Sequence, residues 1–73
     1  MEAKEFEAFG WLGQFPPELA DAKRETVRDW KVLAREARDV ARMALSAKKI
    51  RLAKSIEARR KEIIARARRE GNG

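Results

Sequence analysis

The sequence predicts an all-α fold, an antiparallel hairpin of two long helices preceded by a short aromatic helix and loop. Residues 17–70 hold no glycine and, after Pro17, no proline, and they are rich in Ala, Leu, Arg, Lys and Glu, which favour helix. The apolar stripe of this stretch shifts by roughly 100° part-way along. With 73 residues, the chain has room for one small domain. One continuous helix in a coiled coil is the alternative fold.

The head of the chain, residues 1–16, is acidic and aromatic. Residues 1–22 hold five acids against one base, a net charge of −4. Phe6 and Phe9, one helical turn apart, predict a short helix over residues 2–9 that Gly10 ends. A disordered linker would not carry bulky aromatic side chains such as Trp11 and Phe15, so the segment that follows is predicted to be an ordered loop.

The first long helix is predicted over residues 17–45. Pro17 suits the first helical position, and the acids Glu18 and Asp21 suit the first turn. Its apolar arc contains small side chains that would let a second helix approach closely. We expect this alanine seam to pack within the hairpin or across a dimer axis. The seam consists of Ala34, Ala37, Ala41 and Ala44, and the larger side chains of Trp30, Leu33 and Val40 flank it.

A break near Ser46 separates the two predicted helices. The apolar arc is centred at about 240° before this point and at about 340° after it. A left-handed coiled coil drifts backward by about 20° per heptad, so supercoiling has the wrong sign to explain the shift. Ser46 suits the N-cap position, where its hydroxyl would accept from the amide of Lys48 or Lys49. A second, basic helix is therefore predicted over residues 46–70, with a frayed tail at 71–73.

The second helix carries an unbalanced positive charge. Residues 46–73 hold ten bases against three acids, a net charge of +7, and such a surface attracts phosphates. The candidate nucleic-acid contacts are Lys48, Arg51, Lys54, Lys61, Arg66 and Arg69. The first helix also has a basic ridge, but we expect neighbouring acids to neutralise it, through pairs such as Glu25 with Arg28 and Asp39 with Arg42.

Apolar and aromatic side chains outside the predicted core are candidate contacts for a protein partner. Aromatic anchors dominate binding hot spots, which favours Phe6, Phe9 and Trp11 as a docking segment. The alternative is that the aromatic side chains of the head fold back and cap the open end of the helical layer. Val32 and Met43 lie off the apolar arc among acids and complete the predicted partner surface.

The residue inventory argues against several classes of function. The chain has no cysteine and no histidine, so we expect no metal site and no cofactor. Its only side-chain hydroxyls are Thr26, Ser46 and Ser55, with no base suited to activate them, so an enzyme is not expected. No long apolar run occurs, and the sequence is therefore predicted to be cytoplasmic and not membrane-bound.

The small core favours self-association, most simply as a homodimer. The function that these features predict is a small helical interaction protein, such as an adaptor, inhibitor or regulator, that dimerises and binds a protein partner. The alternative is a basic nucleic-acid-binding dimer that contacts phosphates through residues 48–69.

Overall fold

The fold is a helical hairpin, as the sequence predicts. The structure, a computed structural model, describes residues 9–72 and has a turn at 9–13, a short 3-10 helix Pro17–Asp21, α1 Arg24–Ala41 and α2 Ala47–Asn72. Residue numbers rise along α1 while those of the contacting residues fall along α2. Thr26 contacts Glu70, Asp29 contacts Arg66, and Glu36 contacts Arg59. The two helices are therefore antiparallel, and the alternative of one continuous helix is wrong.

The turn between the helices is built without glycine. The Ser46 hydroxyl accepts a hydrogen bond from the Lys49 amide at 3.2 Å, which confirms Ser46 as the N-cap of α2. The Lys49 ammonium donates to the carbonyl oxygens of Ala41, at 3.1 Å, and Met43, at 2.8 Å. Ala41 is the last residue of α1 and Met43 lies in the turn just after it, where the helix itself provides no partners for carbonyl groups. Lys49 thus takes the place of a glycine C-cap.

Both helices differ from their predicted bounds. α1 begins at Arg24 rather than at Pro17, because residues 17–21 form a 3-10 helix and Lys23 is extended at φ −66° and ψ 155°. α2 continues through Gly71 to Asn72. An ion pair between Arg68 and Glu18 at 3.2 Å holds this last part of α2 against the 3-10 helix.

The core lies between α1, α2 and the 3-10 helix. It joins most of the predicted alanine seam to the apolar face of α2, and Leu33, Ala37 and Ala67 are completely inaccessible to solvent. Two seam residues differ from expectation, because Ala41 is half-buried and Ala44 is exposed in the turn after α1. The buried cluster comprises Leu19, Trp30, Leu33, Ala37, Val40, Ile56, Ile63 and Ala67.

Residues 9–16, which we call the aromatic segment, fold back over this core. Phe9, Trp11 and Leu12 are partly buried and pack against it. The Trp11 ring lies with its centroid 5.1 Å from that of Trp30, and the Arg60 guanidinium lies 5.4 Å from the centroid of Trp11. The aromatic segment thereby covers apolar surface that a pair of helices leaves open. Phe6 and most of the helix predicted over 2–9 lie outside the described residues.

Candidate functional site

Ion pairs connect the elements of the hairpin. Arg59 binds Glu36 at 2.8 Å and Arg66 binds Asp29 at 2.6 Å, both across the two helices. The hydrogen bond from Arg59 lowers the pKa of Glu36 below its ordinary value. The pairs expected within the first helix, Glu25 with Arg28 and Asp39 with Arg42, are not among the ion pairs of residues 9–72. Two of the four acids of α1 thus pair with arginines of α2 instead of with cations of their own helix.

This arrangement leaves a row of cations on α1 without partners. All of them are exposed, and within the described part of the chain none makes an ion pair or a side-chain hydrogen bond. At 100° per residue they lie within about 40° of one line, over roughly 27 Å of helix. We call them the α1 row: Arg24, Arg28, Lys31, Arg35 and Arg38 of α1, with Arg42, the C-cap residue that follows it.

A second set of cations lies on α2 and includes five of the six predicted nucleic-acid contacts. They are exposed, and no ion pair joins them to any residue in the range 9–72. We call them the α2 row: Lys48, Arg51, Lys54, Lys61 and Arg69. The sixth predicted contact, Arg66, is half-buried and bound to Asp29, and its Nε atom is buried without a hydrogen-bond partner. Arg66 therefore belongs to the contact between the helices.

A cleft of about 380 Å³ lies beside the α1 row, between α1 and the aromatic segment. Lys31, Arg35 and Arg38 of the row line one side of it. The other side is the loop that carries Phe15, whose surface is 55% exposed. Buried Trp30 and the small side chain of Ala34 also line the cleft.

Gly13 helps to shape the loop that carries Phe15, because its φ of +87° is a conformation that other residues rarely adopt.

Sequence reasoning missed this cleft. Phe15 and Arg35 are far apart in the chain, and no motif connects them. The sequence held two separate signals: an aromatic residue directly before two prolines, and a basic ridge on the helix that follows. The fold alone brings these two features together.

The predicted partner surface is not assembled as one surface. Phe9 and Trp11 pack against the core, and Met43, which the sequence placed off the apolar arc, is also partly buried against it. Val32 is 45% exposed. Phe6 is outside the described residues.

No protein-family model, curated protein or solved structure matches this chain at a significant level. Among the helices of residues 9–72, none has the length and apolarity needed to cross a membrane. In the same range, no group of three or more acidic side chains is placed to hold a metal ion.

Proposed function

We propose that this protein binds nucleic acid by contacting phosphates with the α1 row, largely without reading base sequence. The observation that carries the proposal is the engagement of Asp29 and Glu36 by Arg66 and Arg59 of α2. Two acids that would otherwise offset the charge of α1 are committed to the contact between the helices. The row keeps its positive charge as a result.

The chemistry of the row suits phosphate. Five of its six members are arginines, whose planar guanidinium forms paired hydrogen bonds with phosphate oxygens. A continuous row of cations displaces the counterions condensed on nucleic acid, and this release drives binding that depends steeply on salt.

Crowding of like charges supports the proposal over a role in solubility alone. Two pairs of the row are four residues apart within α1, Arg24 with Arg28 and Lys31 with Arg35, and Arg38 has the same spacing to the C-cap residue Arg42. Like-charged pairs at this spacing destabilise a helix by about 0.2–0.5 kcal/mol each. A polyanion lying along the row would relieve this repulsion.

The test is fluorescence anisotropy with a labelled 20-base-pair DNA duplex between 50 and 200 mM salt. Neutralisation of six phosphates should give a slope of about −5 for log K against log salt concentration, roughly a thousandfold loss of affinity over this range. Arg35→Gln together with Arg38→Gln should make the slope shallower by about 2, or about 1 per cation.

The matched control is Arg51→Gln with Lys54→Gln in the α2 row, which removes the same net charge from the other helix. We expect it to leave most of the slope unchanged. An equal effect of both double variants would overturn the assignment to α1 and spread the interface over both helices. Wild-type protein that shows no salt-dependent binding would overturn the proposal itself.

A second candidate function is association with protein, beginning with a second copy of the chain. Its support is the exposure of Leu45, at 69%, and of Ile50, at 37%, near the turn between the helices. They flank the N-cap Ser46 at the N′ and N4 positions, where apolar residues often pair. Exposed Val32 would add to such contacts with a partner.

A further inference from the structure

We infer that the cleft between Phe15 and α1 receives one base of a single-stranded DNA or RNA chain. This inference rests on the proposed function and adds a substrate class to it. The α1 row alone would hold any polyanion, whereas the cleft gives the protein a reason to prefer an unpaired strand.

The first argument is the exposure of Phe15. Phe9 and Trp11 pack against the core, but Phe15 leaves 55% of its surface open. Pro16, at φ −61° and ψ 139°, and Pro17 follow directly, and prolines restrict the backbone around this ring. Phe15 is therefore a solvent-exposed aromatic side chain on a restricted backbone, of the kind on which bases stack.

The second argument is the charge beside the ring. Lys31, Arg35 and Arg38 line the same cleft, so a base that enters it would have its phosphates next to the α1 row. Aromatic side chains that alternate with a cationic track are the usual means of binding single strands without sequence preference. The acids Asp29 and Glu36, bound to α2, are not among the residues that line the cleft.

The third argument is size and access. At about 380 Å³, the cleft is within the range of small-molecule sites. A base in a duplex is stacked and paired, so it would have to leave the helix to enter, at a cost that an unpaired strand avoids. The occupant is accordingly an unpaired base.

The experiment compares labelled dT12, labelled U12 and a 12-base-pair DNA duplex by fluorescence anisotropy at one salt concentration. The duplex carries more phosphate charge, so binding through phosphates alone would favour the duplex. We expect at least one of the single strands to bind about tenfold more tightly than the duplex, and the two single-stranded probes decide between DNA and RNA. Because Trp11 and Trp30 both line the cleft, the preferred strand should also change tryptophan fluorescence.

Phe15→Ala should lower the affinity for that strand by about tenfold, the effect of losing one base stack, and change duplex affinity less than twofold. Phe15→Tyr keeps an aromatic ring and should retain wild-type affinity. Ser55→Ala, which truncates an exposed side chain of α2 that does not line the cleft, is the matched control and should change neither affinity.

The inference is overturned if Phe15→Ala binds single strands as tightly as Ser55→Ala does, or if Phe15→Tyr loses as much affinity as Phe15→Ala. It is also overturned if wild-type protein prefers the duplex. In these cases the proposed function survives, provided that binding still depends on salt and on Arg35 and Arg38. If the wild type binds none of the three probes, both proposals fail.

Discussion

Glu70, near the end of α2, accepts a hydrogen bond from the hydroxyl of Thr26, 44 residues earlier in α1, and both of its carboxylate oxygens lie 2.9 Å from Thr26 Oγ1. The same carboxylate accepts from the backbone N–H of Lys23, also at 2.9 Å. Lys23 is the N-cap of α1, and in a capping box the acid that binds the N-cap amide comes from the same helix. Here α2 supplies it, so the start of α1 depends on the packing of the hairpin.

We predict that Glu70→Ala lowers the thermal midpoint of unfolding. The substitution leaves the Lys23 amide and the buried Thr26 hydroxyl without their acceptor, and an unpaired buried donor is destabilising. Circular dichroism melting is the measurement. Glu62→Ala is the matched control, since Glu62 is exposed on α2 and has no ion pair within residues 9–72. Equal melting of the two variants would show that the cap contributes nothing.

Stability should fall in acid. The pKa of Glu70 lies below its ordinary value of 4.5 because the Lys23 amide and the Thr26 hydroxyl bind its carboxylate, and the hydrogen bond from Arg59 lowers the pKa of Glu36. The unfolded chain therefore takes up protons first as the pH falls. The contribution of these groups to stability is complete well above pH 4.5 and is lost as the pH falls through their folded values.

Urea unfolding at pH 7, 4.5 and 3 measures this dependence. The free energy of unfolding should decrease across the series, and Glu36→Gln should show a weaker decrease than the wild type. A free energy that is constant from pH 7 to pH 3 would contradict the assigned hydrogen bonds.

Lys49→Met should destabilise the fold by about 1.5 kcal/mol, the lower end of the range for hydrogen bonds to a charged group. It removes the donor to the carbonyls of Ala41 and Met43 and keeps the apolar stem. Chemical denaturation is the measurement, and Lys48→Met, which removes an exposed neighbouring cation, is the control. If the two variants are equally stable, the lysine cap does not hold the turn.

Gly13→Ala should cost about 1–2 kcal/mol, because an L-residue is strained in a left-handed conformation. No atom lies within 4 Å of the position that a Cβ would take, so the cost comes from the backbone and not from a clash. Asparagine tolerates this conformation better, and Gly13→Asn should therefore be less destabilised in urea unfolding. The reverse order would indicate that the loop adopts another conformation in solution.

Self-association is expected at micromolar concentration, with a mass about twice the 8.4 kDa of one chain in light scattering after gel filtration. Leu45→Glu should shift the protein toward the monomer, because it places a charge in an apolar contact. Ser55→Glu, which adds the same charge at another exposed position of α2, is the control. A wild-type mass of 8.4 kDa at every concentration would refute the prediction.

The sequence predicted both helices and the position of the break because those signals are local. Helix propensity, the phase shift of the apolar stripe and the Ser46 N-cap all depend on residues close together in the chain. The start of α1 was predicted seven residues too early because Pro17, Glu18 and Asp21 form a good first turn by themselves. They form a 3-10 helix instead, while the cap of α1 comes from Glu70 in α2.

The candidate site depended on contacts that only the tertiary structure decides. Seen along one helix, Asp29 and Glu36 are neighbours of the basic ridge, yet Arg66 and Arg59 bind them once α2 packs against α1. Likewise, Phe15 and Arg35 line one cleft only because the aromatic segment packs back against the hairpin. Local chemistry thus determined which segments are helical and where the turn between them lies. The packing of the helix faces determined which charges remain unpaired, because the partners of a long side chain depend on the neighbour that the fold supplies.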